Sequence, residues 1–252
     1  MKKFIVLLCS FLAAFSSKSF AEFSEVPGGK KAISITVDQA TGKLWIIGDD
    51  NKIYMQENNE WKEHPGNGKG RHLAVYNNVP YVVAMGNAVW KGEKGAWQQL
   101  PKSENAIRVA VDGKNGTIYF MGKDGQVNRF EKGAWTKLFN YGPGSELTIH
   151  EGKPFIRGQH GFLHKWDEGN KKFILVRTGF VVDKICGTKG DRIWRIGSII
   201  GEQFIADYID GVDNAKWSRV QIRRFAVKEI AGYEKQCYVI GPDDKVYTSP
   251  TP

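Results

Sequence analysis

The chain says the same thing several times. Gly42 to Trp61 reads GKLWIIGDDNKIYMQENNEW and Gly116 to Trp135 reads GTIYFMGKDGQVNRFEKGAW; the two segments superpose without a gap and start 74 residues apart. Halfway between them lies VPYVVAMGNAVWKGEKGAW, from Val79 to Trp97, whose last five residues are identical to Glu131 to Trp135. The same register continues through Gly152 to Phe173, Asp191 to Trp217 and Glu234 to Pro252. The aromatic residue that opens the last segment of a unit falls at Trp61, Trp97, Trp135, Phe173 and Trp217, in steps of 36, 38, 38 and 44. The long step reflects an insertion near Asp207 to Asn214. A period of this length confines a chain to architectures in which each unit buries its faces against its neighbours.

Within a unit the apolar residues alternate in short runs, as in Ile33, Ile35, Val37 or Ile107, Val109, Val111. Clusters of Gly, Asp and Asn separate the runs, which is the pattern of strands and turns. No stretch after residue 21 holds a helical period. Each unit supplies an inner strand, a second carrying an aromatic, a third, and an outer one opening at the marker aromatic. Four strands in about 40 residues is the arithmetic of a propeller blade. The sixth unit ends at Pro252 with only three strands, while EFSEVPGG at Glu22 to Gly29 resembles EWKEHPGNG at Glu60 to Gly68. Phe23 lies 38 residues before Trp61, one full period. The expectation is an all-β, six-bladed propeller of four-stranded antiparallel blades over residues 22–252, closed by an N-terminal strand that completes the last blade. Trp45, Tyr81, Tyr119, Phe155, Trp194 and Tyr238 then serve as packing between blades.

Residues 1–21 read as an export signal. Lys2 and Lys3 precede an apolar run from Phe4 to Phe15, and Ser19-Phe20-Ala21 forms a small-x-small cleavage site. That run is too short to span a membrane, and no later segment is apolar enough. The remainder is expected to be secreted or periplasmic, and monomeric. Removal of residues 1–21 takes away Lys2, Lys3 and Lys18 and lowers the formal charge from +9 to +6. A mildly basic balance serves solubility and favours anionic partners. Cys186 and Cys237 are two thiols beyond the signal, either bonded or free; spacing alone does not bring them within bonding distance.

Units such as LWIIGDDNKIYMQENNEWKEHPG and IYFMGKDGQVNRFEKGAWTKL resemble tectonin repeats, the building blocks of tachylectin-type propeller lectins. The resemblance covers residues 22–252. It implies a non-catalytic protein that binds carbohydrate at clefts between blades or on their loops. The second-strand Trp is kept only at Trp45 and Trp194, and Phe173 replaces an outer-strand Trp.

No constellation points to catalysis or to a resident metal or cofactor. DGKNGTI at Asp112 to Ile118 lacks the spaced ligands and closing Glu of a calcium loop. Gly-Asp pairs recurring at Gly48, Gly122 and Gly241 suit hairpin turns. His160 and His164 flank a glycine-rich turn with no third zinc ligand nearby. No nucleophile elbow or Cys with a plausible base is present. In WSRVQIRRF, Arg219, Gln221 and Arg223 share one face of an outer strand, where charge deters edge pairing. Nucleic acid is not an expected partner, given the export signal and the lack of interleaved aromatic and basic residues.

Because every unit shares its scaffold, recognition should lie in what differs. The third-strand column Tyr54, Trp90, Asn128, His164, Tyr247 varies, and Trp166 and Tyr208 add aromatics nearby. The expected carbohydrate site uses Trp90, Trp166, Tyr208 and His160 with Arg157 and Arg195 as polar partners, and takes a glycan or a lipopolysaccharide-like polysaccharide. The alternative is a secreted platform that engages a host or envelope protein without binding sugar.

Overall fold

The structure is a computed structural model; it describes residues 23–138, 144–176, 181–188, 192–199, 202–209, 217–220 and 227–249. Ahead of the repeats comes β1 (Ser24–Glu25). Sheet 1 then comprises β2 (Ala32–Val37), β3 (Leu44–Gly48), β4 (Ile53–Glu57) and β5 (Glu60–Glu63). Sheet 2 follows with β6 (His72–Tyr76), β7 (Val79–Val83), β8 (Val89–Glu93) and β9 (Ala96–Gln99). Sheet 3 holds β10 (Ala106–Val111), β11 (Ile118–Gly122), β12 (Val127–Glu131) and β13 (Ala134–Leu138). Sheet 4 holds β14 (Glu146–His150), β15 (Lys153–Arg157), β16 (Leu163–Asp167) and β17 (Lys172–Val176), with one 3-10 turn, Gln159–Gly161, between β15 and β16. Sheet 5 holds β18 (Val182–Gly187), β19 (Arg192–Ile199), β20 (Glu202–Ile209) and β21 (Trp217–Val220). In the last sheet, β22 (Glu229–Tyr233), β23 (Gln236–Ile240) and β24 (Val246–Thr248) are joined by β1.

Every pairing is antiparallel, and each sheet is an ordered meander from its first strand outward. The first strand of each sheet touches that of the next, from β2 through β6, β10, β14 and β18 to β22, and β22 in turn touches β2. These six strands surround one axis. The protein is therefore an all-β propeller of four-stranded antiparallel blades. The N-terminal strand pairs Ser24 with Thr248 and Glu25 with Tyr247, and Val26 is buried beside it.

Two devices bind neighbouring sheets. Aromatic and aliphatic side chains fill the gaps: Trp45, Tyr81, Tyr119, Phe155 and Trp194 are all buried. Ala110, Tyr119 and Leu138 of sheet 3, for instance, share one core cluster with Ile156, Trp166 and Phe173 of sheet 4. The outer aromatics also latch onto the loop that leaves the preceding sheet. A Cβ on Gly28 would lie 2.6 Å from Trp61, and one on Gly68 would lie 2.1 Å from Trp97, so only glycine lets the loop wrap the indole. Trp135 Nε1 donates to the Pro101 carbonyl at 2.6 Å. Pro27, Pro65 and Pro101 hold one repeat position in these loops.

Candidate functional site

Two features of the surface depart from the scaffold, and both lie on the face of the propeller where the second strand of each sheet turns into the third. At the channel mouth, one residue per sheet occupies a single register of the innermost strand. These are Ser34, His72, Arg108, Glu146, Lys184 and Glu229, paired across to Ile47, Val83, Met121, Arg157, Ile196 and Ile240. Four of them alternate in sign around the ring. Arg108 grips Glu146 with two donors, Nε to Oε2 at 3.2 Å and Nη2 to Oε1 at 2.9 Å. Lys184 Nζ donates to Glu146 Oε1 at 2.9 Å and to Glu229 Oε2 at 3.3 Å.

The electrostatics of this ring are asymmetric. Burial opposes the charge on Glu146, but the hydrogen bonds and charges of Arg108 and Lys184 overcome it and hold the carboxyl below its usual range. Burial dominates at Glu229 and pushes its carboxyl up, against the pull of Lys184. Desolvation, with the charges of Arg108, Lys184 and Arg71, drives the pKa of half-buried His72 well down; its neutral Nδ1 accepts the Val109 N–H at 3.3 Å. Beneath the ring a narrow axial cavity of about 80 Å³ is lined by Thr36, Ala74, Ala110, Thr148, Cys186 and Ala231. Small residues at this column leave the axis hollow. The charged groups are satisfied by one another, so the ring fastens neighbouring sheets and holds no charge in reserve for a ligand.

The second feature is the hairpin of sheet 4. Five sheets show the same described turn between second and third strands, closed by the first N–H donating to the fifth carbonyl: Gly48 to Lys52, Ala84 to Ala88, Gly122 to Gln126, Gly158 to Phe162 and Gly241 to Lys245. The fourth position is left-handed in each, at Asn51, Asn87, Gly125, Gly161 and Asp244, which explains the recurrence of Gly, Asn and Asp there. In three turns the third residue is an Asp whose carboxylate accepts the fifth N–H: Asp50 at 3.1 Å, Asp124 at 3.0 Å and Asp243 at 3.3 Å. Asp50 and Asp243 also accept the hydroxyls of Tyr54 and Tyr247 at 2.5 and 2.8 Å.

Sheet 4 replaces that whole arrangement. The Asp becomes His160, itself left-handed at φ 62°, so two consecutive residues adopt this conformation. A left-handed residue other than glycine costs free energy that the surroundings must supply. The Tyr becomes His164, and the fifth position, Lys or Gln in three sister turns, becomes Phe162, 48 % exposed. A pocket opens beside the turn, lined by Ile156, Gln159, His160, Phe162, His164 and Leu175. Leu175 is 55 % exposed. Val181, 40 % exposed, lies against the turn, where a Cβ on Gly161 would approach it to 2.3 Å. Burial lowers the pKa of His164, which keeps it neutral near pH 7.

The residues expected at a carbohydrate site divide among three sheets. His160, Arg157 and Trp166 belong to sheet 4, Trp90 to sheet 2, and Arg195 and Tyr208 to sheet 5. Only His160 lines the pocket. Trp166 is 5 % exposed, packs edge-on against Phe173 and donates to Glu168. Arg195 is fully buried. Arg157 is engaged with the Val182 carbonyl and, at 2.7 Å, with Ser145 Oγ, joining sheet 4 to sheet 5. Trp90 rests against the core cluster of Trp45, Ile47 and Leu73. Tyr208 pairs with Ile193 and Trp217 through its backbone in β20; its side chain lies outside the described residues, as do Gln221 and Arg223. Among the described residues no cluster of three or more metal-ligating side chains occurs, and no helix is long and apolar enough to cross a membrane. Cys186 and Cys237 are not joined by a disulfide.

Sequence reasoning passed over Phe162 and Leu175. Their signal was present as substitutions: an aromatic where sister turns carry Lys or Gln, and KFILV where other outer strands read EWKE, AWQQ and AWTKL.

Comparison with known proteins places the fold. No family model matches the chain, and none of the curated proteins does. Solved structures match over nearly its whole length. The WD40 repeats of RRP9 superpose with a TM-score of 0.64 at 8 % identity, covering 92 % of this chain and 98 % of that one. YCF48 bound to a D1 peptide gives 0.58 at 13 % identity, covering 94 % and 98 %. YCF48 from Cyanidioschyzon merolae gives 0.58 at 13 %, covering 91 % and 85 %. At such identities the likeness concerns the fold, a WD40-like β-propeller; the resemblance to tectonin lectins stands on the repeat pattern.

Proposed function

We propose that this protein is a non-catalytic interaction platform, exported by its first 21 residues, that engages a protein partner through the hairpin pocket of sheet 4. One observation carries the reading: Phe162, Leu175 and Val181 expose apolar surface together, around a pocket, at a turn that carries His160 in place of the Asp cap. Apolar surface gathered around a pocket marks a contact site. A propeller of this fold holding a peptide, as in the YCF48 structure bound to a D1 peptide, supports the class of partner. The carbohydrate reading is weaker, because Trp166 and Arg195 are spent in the core and the pocket presents two histidines but neither a carboxylate nor an arginine.

The test pans a random dodecapeptide display library on the wild-type protein, with counter-selection on Phe162→Ser, beside a glycan array. Convergent peptides that bind wild type and not the variant support the platform. Sugar-competed array signals with no convergent peptide would return the site to carbohydrate.

A further inference from the structure

We infer that the partner segment is an extended peptide that adds a strand to the outer edge of β17 and places an apolar side chain over the pocket beside Leu175. This rests on the platform reading and specifies its binding mode. β17 ends the order of its sheet, and no described strand pairs with its outer edge. Every propeller sheet has such an edge, and the sister strands defend theirs with charged or amide side chains: Glu60, Lys62 and Glu63 on β5, Gln98 and Gln99 on β9, Lys137 on β13. Beyond Lys172, β17 is Phe173-Ile174-Leu175-Val176. An apolar edge without a charge is an invitation to pairing.

The register says which peptide groups are on offer. In sister sheets the residue at the Val176 position donates inward: His64 N–H to the Ile53 carbonyl and Leu100 N–H to the Val89 carbonyl, both at 2.8 Å. Val176 faces Leu163 in the same way. Antiparallel pairing alternates, so Val176, Ile174 and Lys172 direct their N–H and C=O toward β16, whereas Phe173 and Leu175 direct theirs outward. Two outward residues supply four hydrogen bonds to an added strand, the usual basis of affinity in strand addition, with alternate side chains giving specificity.

The pocket fixes the specificity. Leu175 lies across from His164, which lies across from Ile156, so the three share one face, and all three line the pocket. A residue of the added strand opposite Leu175 points its side chain to that same face. An apolar side chain there covers Leu175 and reaches Phe162. A second copy of this chain does not satisfy the site in the register centred on Ile174. Antiparallel self-pairing about Ile174 sets Phe173 of the other copy opposite Leu175, and Phe173 is 2 % exposed, its ring already committed to the core.

The tightest dodecapeptide from the selection above is synthesised with a fluorophore, then with a single backbone N-methyl group at each position in turn, and titrated by anisotropy. Strand addition predicts losses of about tenfold or more at alternate positions only, and a comparable loss on Leu175→Lys, whose melting temperature stays that of wild type because the side chain is exposed. Binding that disappears with Phe162→Ser or Leu175→Lys but ignores N-methylation overturns strand addition and leaves the platform standing. A selection without convergence overturns both. Concentration-dependent dimers dissolved by Leu175→Lys in sedimentation velocity would assign the edge to a second copy and overturn the inference.

Discussion

Replacing Glu146 by Gln tests whether the alternating charges at the channel mouth act as fasteners. Glu146 receives two donors from Arg108 and one from Lys184, with its side chain 9 % exposed and those of Arg108 and Lys184 at 25 % and 22 %. Removing one partner of a buried ion pair costs about 3–5 kcal/mol, because the remaining charge stays desolvated. Here two cations lose a carboxylate, yet both keep some access to water and Lys184 retains Glu229 at 3.3 Å, so the low end, about 3 kcal/mol, is the expectation. For a chain of this size that corresponds to a fall in Tm of about 6–12 °C. Glu229→Gln should behave differently. Its carboxyl is pushed up by burial, so ionising it already costs stability at neutral pH, and the change should stay within about 1 kcal/mol. The pH dependence separates the two carboxylates. The folded pKa of Glu146 lies below the ordinary glutamate value of 4.5, so its stabilisation is present above that value and disappears as pH falls through the folded pKa. Glu229, with a raised folded pKa, contributes in the opposite sense: it favours folding below 4.5 and loses that contribution as pH rises. Urea unfolding of wild type and both variants at pH 7 and at pH 3.5 measures all of this. Equal losses for the two variants at pH 7, or a Glu146→Gln penalty that persists undiminished in acid, would refute the reasoning.

Deleting residues 22–29 removes the pairing of β1 with β24, the Glu25–Lys245 contact at 2.9 Å and buried Val26; burial of Val26 alone is worth about 1.5–3 kcal/mol, and calorimetry should show at least that loss. Gly68→Ala forces a Cβ to within 2.1 Å of Trp97 and should cost about 1–3 kcal/mol, whereas Gly86→Ala, with nothing within 4 Å, should stay within about 0.5 kcal/mol in the same denaturation series. Trp135→Phe keeps a ring to pack edge-on against Phe120 at 4.6 Å but loses the bond to the Pro101 carbonyl, a change of about 1 kcal/mol by urea unfolding. Burial pushes the Cys186 thiol up to about 12, so a thiol reagent at pH 8 should label this half-buried residue far more slowly than a free thiol of ordinary pKa, read by mass spectrometry.

The repeat made the strands legible, and the reason is physical. Trp61, Trp97, Trp135 and Phe173 open or sit in β5, β9, β13 and β17 because each must reach a loop or core of the neighbouring sheet, a demand that recurs with the period. The same logic misleads about exposure. In a single sheet with one wet face, strand alternation separates buried from exposed residues; in a propeller both faces of a sheet meet neighbours. Trp166 on a third strand and Arg195 on a second strand thus read as available in the sequence and are buried in the structure. The charge ring was equally hidden. Arg108, Glu146, Lys184 and Glu229 look like scattered polar residues at the starts of apolar runs, and only closure about an axis brings them together. Phe162 and Leu175 escaped notice because neither is unusual alone; their meaning comes from the sister positions they replace.

The 74-residue spacing of the two most similar segments has its own structural counterpart, because the described loops from first to second strand are of two kinds. Sheets 1 and 3 use a long loop that begins with a buried acid, Asp38 or Asp112, and ends with left-handed Gly42 or Gly116. Sheets 2, 4 and 6 use two-residue turns, Asn77-Asn78, Glu151-Gly152 and Glu234-Lys235. The two kinds interlock. Asp38 accepts the N–H groups of Asn77 and Asn78 at 3.2 and 2.8 Å. A Cβ on Gly42 would meet Tyr233 at 3.2 Å, and one on Gly116 would meet Tyr76 at 2.6 Å. Asp38 thus reaches forward to the next short turn, and at Gly42 and Gly116 an aromatic of a short-turn sheet packs on the glycine of the sheet that follows. These loops are committed to each other by hydrogen bonds and ring contacts. On the opposite face the turns bond to the chain entering the next sheet, as Asn51 does to Gly70, Asn87 to Ala106 and Asp244 to Ala32, and the turn of sheet 4 carries His160 and Phe162 where three sister turns carry an Asp cap and a Lys or Gln.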